Sequence, residues 1–203
     1  MKLLLTSDGL TSRKIRKEFL KLLNKPLSEN KVLIMHTAKL RRRLYRVNAL
    51  KKGLIKLGIK RQNITEADIS TKINARKYVN FDVFYSCGGN TFYILDRIRK
   101  TGFNKIINNF IKKNGVYVGV SAGSVIVHKT IEIAGWGREG DKNEINLKNL
   151  KGLGVTNIAI FPHFKKRLAK EVAEFKKKVN YPVKIIRDRQ AIMIKGRTVR
   201  MIK

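Results

Sequence analysis

Short apolar runs alternate with amphipathic stretches along most of the chain. The apolar runs have polar flanks, which is typical of strands buried in a parallel sheet. In the amphipathic stretches the apolar residues recur at helical spacing, as with Ile15, Phe19 and Leu22. The pattern predicts strands at 2–6, 32–37, 64–69, 79–86, 116–120 and 157–161, and helices at 11–23, 40–57, 91–100, 104–113, 122–129 and 165–179. Short strands are expected at 183–186, 191–195 and 198–202.

This alternation predicts an α/β fold of three layers, in which a mostly parallel sheet is flanked by helices. No repeat or Pro/Gly-rich linker interrupts the 203 residues, so residues 1–203 are expected to form a single domain. Sites in such sheets form at the carboxyl ends of the strands. Three segments are expected there, at 87–90, 119–123 and 162–163.

The composition indicates where the protein resides rather than what chemistry it performs. Hydrophobic residues make up 43% of the chain, which argues against disorder, and one cysteine excludes an internal disulfide. No apolar run approaches the roughly 20 residues that cross a bilayer. We therefore expect a cytoplasmic protein with no membrane partner.

The net charge of +32 comes from 46 Lys and Arg against 14 Asp and Glu. Such an excess favours contact with nucleic acid or another polyanion. However, the basic residues are spread along the chain, and Lys, Asn and Ile are abundant together, as coding bias towards A and T would produce. We favour a solvated basic surface and keep polyanion binding as an alternative.

The segment Gly119-Val-Ser-Ala-Gly123 follows an apolar strand and precedes a helix. This is the context of a nucleophile elbow, in which a serine on a sharp turn projects above the sheet. The amides at the start of the helix can stabilise an oxyanion. The pattern predicts Ser121 as a nucleophile, although an ordinary turn with a capping serine has the same residues.

A nucleophilic serine needs a base, and the chain has three histidines. His128 would lie about 10 Å along the helix from Ser121, which is too far. His36 ends an early strand and stays a candidate. His163 follows the strand at 157–161 and is the favoured base.

The turn Gly88-Gly89-Asn90 also follows a strand, and its glycines allow backbone amides to approach a ligand. We expect the amides of Gly89 and Ala122 to form an oxyanion hole. The neighbouring Cys87 is expected to be a buried residue rather than a nucleophile.

Together these segments resemble the aspartyl dipeptidase (peptidase E) family of serine peptidases, to which cyanophycinases are more distantly related. The matching segments are Cys87-Gly-Gly-Asn-Thr-Phe-Tyr-Ile-Leu95, Gly119-Val-Ser-Ala-Gly-Ser124, Gly152-Leu-Gly154 and Phe161-Pro-His-Phe164, with Lys31–Ala38 in addition. The resemblance implies a class I glutamine amidotransferase-like, or flavodoxin-like, fold. Lys165, two residues after His163, replaces the acid of those amidotransferases, so glutaminase chemistry is disfavoured.

The resemblance implies that Ser121 is the nucleophile and His163 the base. Two residues could complete the triad: Asp141 lies between them in the chain, and Asp188 follows the histidine. Either could hold the imidazole tautomer. We favour Asp141 slightly.

The implied substrate is a small peptide, with a preference for dipeptides that begin with Asp. Arg167 is the candidate partner for the substrate carboxylate, because guanidinium binds carboxylates bidentately. Asn90 and Trp136 are further candidates for substrate binding. The scattered His and Cys predict no metal site and no cofactor, and a monomer or homodimer is expected. The alternatives are a hydrolase of another small amide or ester, and an idle homologue that binds a polyanion.

Overall fold

The computed structural model describes residues 1–37 and 41–203, without the side chains of residues 41–43 and 75. The strands are β1 (Lys2–Thr6), β2 (Val32–His36), β3 (Ile64–Asp68), β4 (Val83–Ser86), β5 (Val116–Val120), β6 (Ala159–Phe161), β7 (Val183–Ile185), β8 (Ala191–Lys195) and β9 (Thr198–Ile202). The α-helices are α1 (Arg13–Leu22), α2 (Arg41–Leu57), α3 (Thr91–Lys100), α4 (Phe103–Lys112), α5 (Ala122–Val125) and α6 (Ala169–Lys178). Short 3₁₀ helices span Leu27–Glu29, Arg61–Asn63, Ala75–Tyr78, Glu132–Gly135 and Lys166–Leu168.

Seven strands form the main sheet in the order β3-β2-β4-β5-β1-β8-β9. The strands from β3 to β1 are parallel to their neighbours, whereas β8 and β9 are antiparallel. This confirms the predicted mostly parallel α/β sheet with C-terminal strands. Since β4, β5 and β1 are adjacent, the segments after them lie side by side at one edge.

Helices cover both faces of the sheet, which explains why the central strands are apolar throughout. Successive residues of β1 belong to two different hydrophobic cores. Leu3 and Leu5 pack with α3 and α4, whereas Leu4 packs with α1 and α2. Helix α1 contributes Ile15 and Phe19 to the second core. Successive side chains of a strand point to opposite faces of the sheet, so each buried strand packs against both helical layers.

The helix predicted at 122–129 is wrong beyond its first turn, because α5 ends at Val125. The carbonyls that would continue the helix are used by another segment: Leu153 N donates to Ile126 O at 2.7 Å, and Val155 N donates to Val127 O at 2.9 Å. The run Val125-Ile126-Val127 is β-branched and gives a helix little support.

Other predicted boundaries also differ from the observed ones. The predicted strand 79–86 begins only at Val83, and the predicted helix 165–179 opens as a 3₁₀ turn before α6. Residue 40, the predicted start of the second helix, lies outside the described residues. Strand β6 pairs with β7 in a separate two-stranded sheet. No helix in the described ranges is both long and apolar enough to cross a membrane.

Candidate active site

Ser121 occupies a strained turn between β5 and α5. Its backbone has φ 51° and ψ −115°, a conformation that is unfavourable for a residue with a side chain. The turn is held by a hydrogen bond from Ser121 N to Thr6 O of 3.0 Å. A Cβ on Gly123 would lie 2.4 Å from Ser86 O, and one on Gly119 would lie 2.6 Å from Gly123 O. The two glycines are therefore required for the chain to fold sharply here, as in a nucleophile elbow.

The imidazole of His163 lies against the Ser121 hydroxyl, with 3.0 Å between Nε2 and Oγ. The histidine itself has φ 53°, and its backbone N–H donates to Ser7 Oγ at 2.9 Å. This bond attaches the loop after β6 to the end of β1. His163 therefore reaches Ser121 although β6 lies outside the main sheet.

The carboxylate behind the imidazole belongs to Asp188, whose Oδ1 lies 2.7 Å from His163 Nδ1. Burial alone would raise the pKa of Asp188. Hydrogen bonds from Ser7 and His163 and the nearby positive charge outweigh this effect and hold its pKa below the ordinary value. An ionised Asp188 accepts a hydrogen bond from the N–H at His163 Nδ1 and so keeps the proton on Nδ1. Nε2 is then left as the acceptor for the Ser121 hydroxyl.

The preference for Asp141 as the acid is corrected by this geometry. Its Oδ2 accepts hydrogen bonds from Thr91 N at 2.8 Å and from Thr91 Oγ1 at 2.6 Å. Its backbone N–H donates to Ala134 O at 2.7 Å. Asp141 thus fastens a loop to the first turn of α3 and is not in contact with His163.

Ser7 is a member of this network that sequence reasoning missed. Its buried hydroxyl donates to Asp188 Oδ1 at 2.8 Å and lies 3.2 Å from His163 Nδ1. One indication of Ser7 was present in the sequence, because it directly follows a predicted strand. Only the pairing of β1 with β5 places it beside Ser121.

The glycine turn after β4 lies against Ser121, since a Cβ on Gly88 would be 3.1 Å from Ser121 Cβ. Within the described ranges, no hydrogen bond occupies the amides of Gly89 or Ala122, so both can serve an oxyanion. Burial and the charge of Glu66 raise the pKa of the Cys87 thiol to about 12. The thiol is therefore a poor nucleophile.

The other two histidines have different surroundings. His128 is fully buried, its Nδ1 lies 2.9 Å from Thr130 O, and its ring packs on Tyr181 at 4.4 Å. Burial lowers the pKa of His128. His36 lines the same cavity as Ser121, with its Nε2 3.5 Å from the Glu66 carboxylate. Neither histidine contacts the Ser121 hydroxyl.

The residues expected to bind substrate have structural partners instead. Asn90 Oδ1 caps α3 by accepting from Tyr93 N at 3.0 Å, and Asn90 Nδ2 donates to a carbonyl of the neighbouring loop. Trp136 Nε1 donates to Glu171 O at 2.8 Å. These side chains do not line the cavity at Ser121.

Arg167 is also held elsewhere. Its guanidinium pairs with the Glu139 carboxylate, with Nε at 2.7 Å from Oε1. The pairing leaves Arg167 outside the walls of the cavity at Ser121.

A cavity of about 950 Å³ opens at Ser121 and His163. Helix α2 and the segment between β1 and α1 form its walls, and the cations Arg16, Arg46 and Lys56 line it. Asp8 also lines it, but Asp8 Oδ1 already accepts from Thr11 and from the backbone of Arg189. The cavity therefore suits a negatively charged ligand. In the described part of the chain, no cluster of three or more His, Cys, Asp or Glu could hold a metal ion.

Ser121 lies on a strained strand-to-helix turn of a parallel sheet and is hydrogen-bonded to a histidine. This combination defines a serine hydrolase with an α/β fold. The chain belongs to Peptidase family S51, whose family model matches residues 3–202. The resemblance to peptidase E proteins is thereby confirmed, and the protein is a serine-type peptidase.

Two relatives are also named peptidases. An uncharacterized peptidase from Listeria monocytogenes is 33% identical over 163 residues, covering 75% of this chain and 76% of the relative. An uncharacterized peptidase from Pasteurella multocida is 27% identical over 141 residues, covering 66% and 68% of the two chains.

Solved structures share the whole fold. A Listeria monocytogenes protein proposed to be a peptidase E has a TM-score of 0.80 and 26% identity, and the match covers 100% of this chain and 98% of that one. A peptidase from an acI-B1 actinobacterium has a TM-score of 0.72 at 15% identity, covering 99% and 86%, and supports the fold alone.

Proposed function

We propose that this peptidase cleaves short peptides with an acidic N-terminal residue, Asp above all, through a Ser121–His163–Asp188 triad and an acyl-enzyme. The observation that carries the proposal is the continuous chain from Ser121 Oγ to His163 Nε2 at 3.0 Å and from His163 Nδ1 to Asp188 Oδ1 at 2.7 Å. These distances are within hydrogen-bonding range for proton transfer and for fixing the tautomer.

In the proposed reaction, Ser121 Oγ attacks the scissile carbonyl while His163 Nε2 takes the hydroxyl proton. The amides of Gly89 and Ala122 donate to the resulting oxyanion. The C–N bond breaks when His163 returns the proton to the leaving amine. A water molecule then attacks the acyl-enzyme with His163 again as base, and the acid product leaves.

The acidic preference is supported by the charge of the cavity. Arg16 and Arg46 line it, and both can bind a carboxylate. Arg16 is preorganised, because its guanidinium nitrogen donates to Leu10 O at 3.1 Å and to Thr11 O at 3.2 Å. Its remaining N–H groups are available to a substrate. Arg16 and Arg46 therefore take the role that sequence reasoning gave to Arg167.

Two measurements test the proposal. A fluorophosphonate probe should label the protein and Cys87→Ala, but not Ser121→Ala. Hydrolysis of Asp-Ala should exceed that of Asn-Ala, which has nearly the same shape without the charge. Failure of the probe to label the wild type would reject the serine mechanism, whereas equal cleavage of the two dipeptides would reject the acidic preference alone.

A further inference from the structure

The cavity is longer than a dipeptide needs. Its α2 wall extends from Val47 to Leu57. Leu50 and Leu57 are half-buried and can contact a ligand, whereas Val47 and Leu54 border the cavity but are buried in the core. Ten residues of helix span about 15 Å, and an extended peptide advances about 3.3–3.6 Å per residue. The wall is therefore long enough for about four extended residues, about twice the length of a dipeptide.

The walls of this groove are mainly apolar. Leu10 and Val120 are half-buried and also line the groove, so apolar side chains contribute much of its surface alongside polar ones such as Thr11. The volume of about 950 Å³ is at the upper end of the range of about 300–1,000 Å³ that is usual for small-molecule sites. The groove is thus built for apolar side chains beyond the reacting bond.

Gly53 keeps the groove open. It lies inside α2 and lines the cavity, and a Cβ placed on it meets no atom within 4 Å. Glycine in the interior of a helix costs about 1 kcal/mol relative to alanine. A larger residue would fit the helix but would project into free space along the groove.

The position of His163 indicates which part of the substrate the groove receives. His163 returns the proton to the leaving amine, so the leaving part of the peptide lies on its side of Ser121. His163 is bonded to Ser7 at the end of β1. The chain that continues from Ser7 through Leu10 to Thr11 forms one wall of the groove.

We infer that the groove binds the residues that follow the scissile bond, and that the enzyme favours peptides of three to five residues with an acidic first residue and apolar residues near the C-terminus. Lys56 lines the same groove on the α2 wall and complements the C-terminal carboxylate of such a peptide. This inference rests on the proposed function and names its substrate class.

The test compares Asp-Ala with Asp-Ala-Leu-Leu in the wild type and in two variants. The wild type should cleave the tetrapeptide with a kcat/KM at least about tenfold higher, since one hydrophobic contact in a pocket contributes about tenfold or more. Gly53→Leu should lower kcat/KM for the tetrapeptide at least about tenfold and leave Asp-Ala nearly unchanged. Asn48→Leu is the matched control, because it adds the same side chain to an exposed position of α2 outside the cavity, and it should change neither.

A binding measurement separates the groove from the chemistry. Asp-Ala-Leu-Leu should bind Ser121→Ala in calorimetry, and adding Gly53→Leu to that variant should abolish the binding. If the wild type cleaves Asp-Ala and Asp-Ala-Leu-Leu equally well, and Gly53→Leu changes neither rate, the groove is rejected and the peptidase activity stands. Binding that depends on Gly53, without hydrolysis by the wild type, would keep the groove and reject the proposed function. Absence of tetrapeptide binding overturns the inference.

Discussion

Replacing Asp188 by asparagine tests the proposed acid of the triad. The change removes a negative charge whose oxygen lies 2.7 Å from His163 Nδ1 and leaves a side chain of the same shape. Asparagine no longer enforces a proton on Nδ1, and it does not stabilise the imidazolium that forms when Ser121 attacks.

The expected loss can be worked from the charge pair. Two charges about 4 Å apart interact by about 4 kcal/mol at an effective dielectric constant of about 20, which corresponds to roughly 10³-fold in rate. The Asp188 side chain is 60% exposed, so solvent screening reduces this energy. We therefore expect Asp188→Asn to lower kcat by roughly 10²- to 10³-fold, with KM changed little.

Asp141→Asn is the matched control, because it makes the same chemical change at the other candidate acid. It weakens the bonds to Thr91 and should lower the melting temperature while leaving kcat within about threefold. The assay is steady-state hydrolysis of Asp-Ala, with thermal unfolding of each variant. Near-full activity of Asp188→Asn, or a large loss of kcat in Asp141→Asn, would refute the assignment of Asp188.

Three further outcomes are expected. Ser7→Ala removes a hydrogen bond to a charged group, which contributes about 1.5–3 kcal/mol, so kcat for Asp-Ala should fall roughly tenfold to a hundredfold at nearly constant KM; an unchanged kcat would deny Ser7 a positioning role. Gly123→Ala places a Cβ 2.4 Å from Ser86 O and should cost about 1–3 kcal/mol, seen as a melting temperature lower by several degrees together with lost fluorophosphonate labelling. Hydrogen bonds from the backbone and side chain of Arg138 lower the pKa of Glu171 below 4.5. The stability that Glu171 contributes is therefore fully present above pH 4.5 and lost as pH falls through the lowered pKa; thermal unfolding of Glu171→Gln against pH should show a flatter acid decline than the wild type.

The order of elements and the elbow at Ser121 follow from local sequence. Strands and helices alternate because buried strands are apolar throughout and helices are apolar on one side, and β1, α3, β5, β8 and β9 have their predicted boundaries. The glycines around Ser121 predicted a strained turn, since only residues without Cβ tolerate the contacts found there. These properties depend on neighbours in the chain, so sequence alone was sufficient.

Side-chain contacts between segments that are distant in the chain depend on the tertiary structure. Asp141 and Asp188 are equivalent as sequence signals, and only the fold places one at His163 and the other at Thr91. In the same way, only the fold pairs Arg167 with Glu139. Ser7 belongs to the hydrogen-bond network because β1 pairs with β5.

Sequence by itself therefore determined the α/β fold, the elbow at Ser121 and the choice of His163. The tertiary structure alone placed Asp188 and the Ser7 hydroxyl at His163 and formed the cavity beside α2. The physical reason is range: backbone strain and apolar periodicity are local, whereas hydrogen bonds and cavities form between segments that are brought together by strand order.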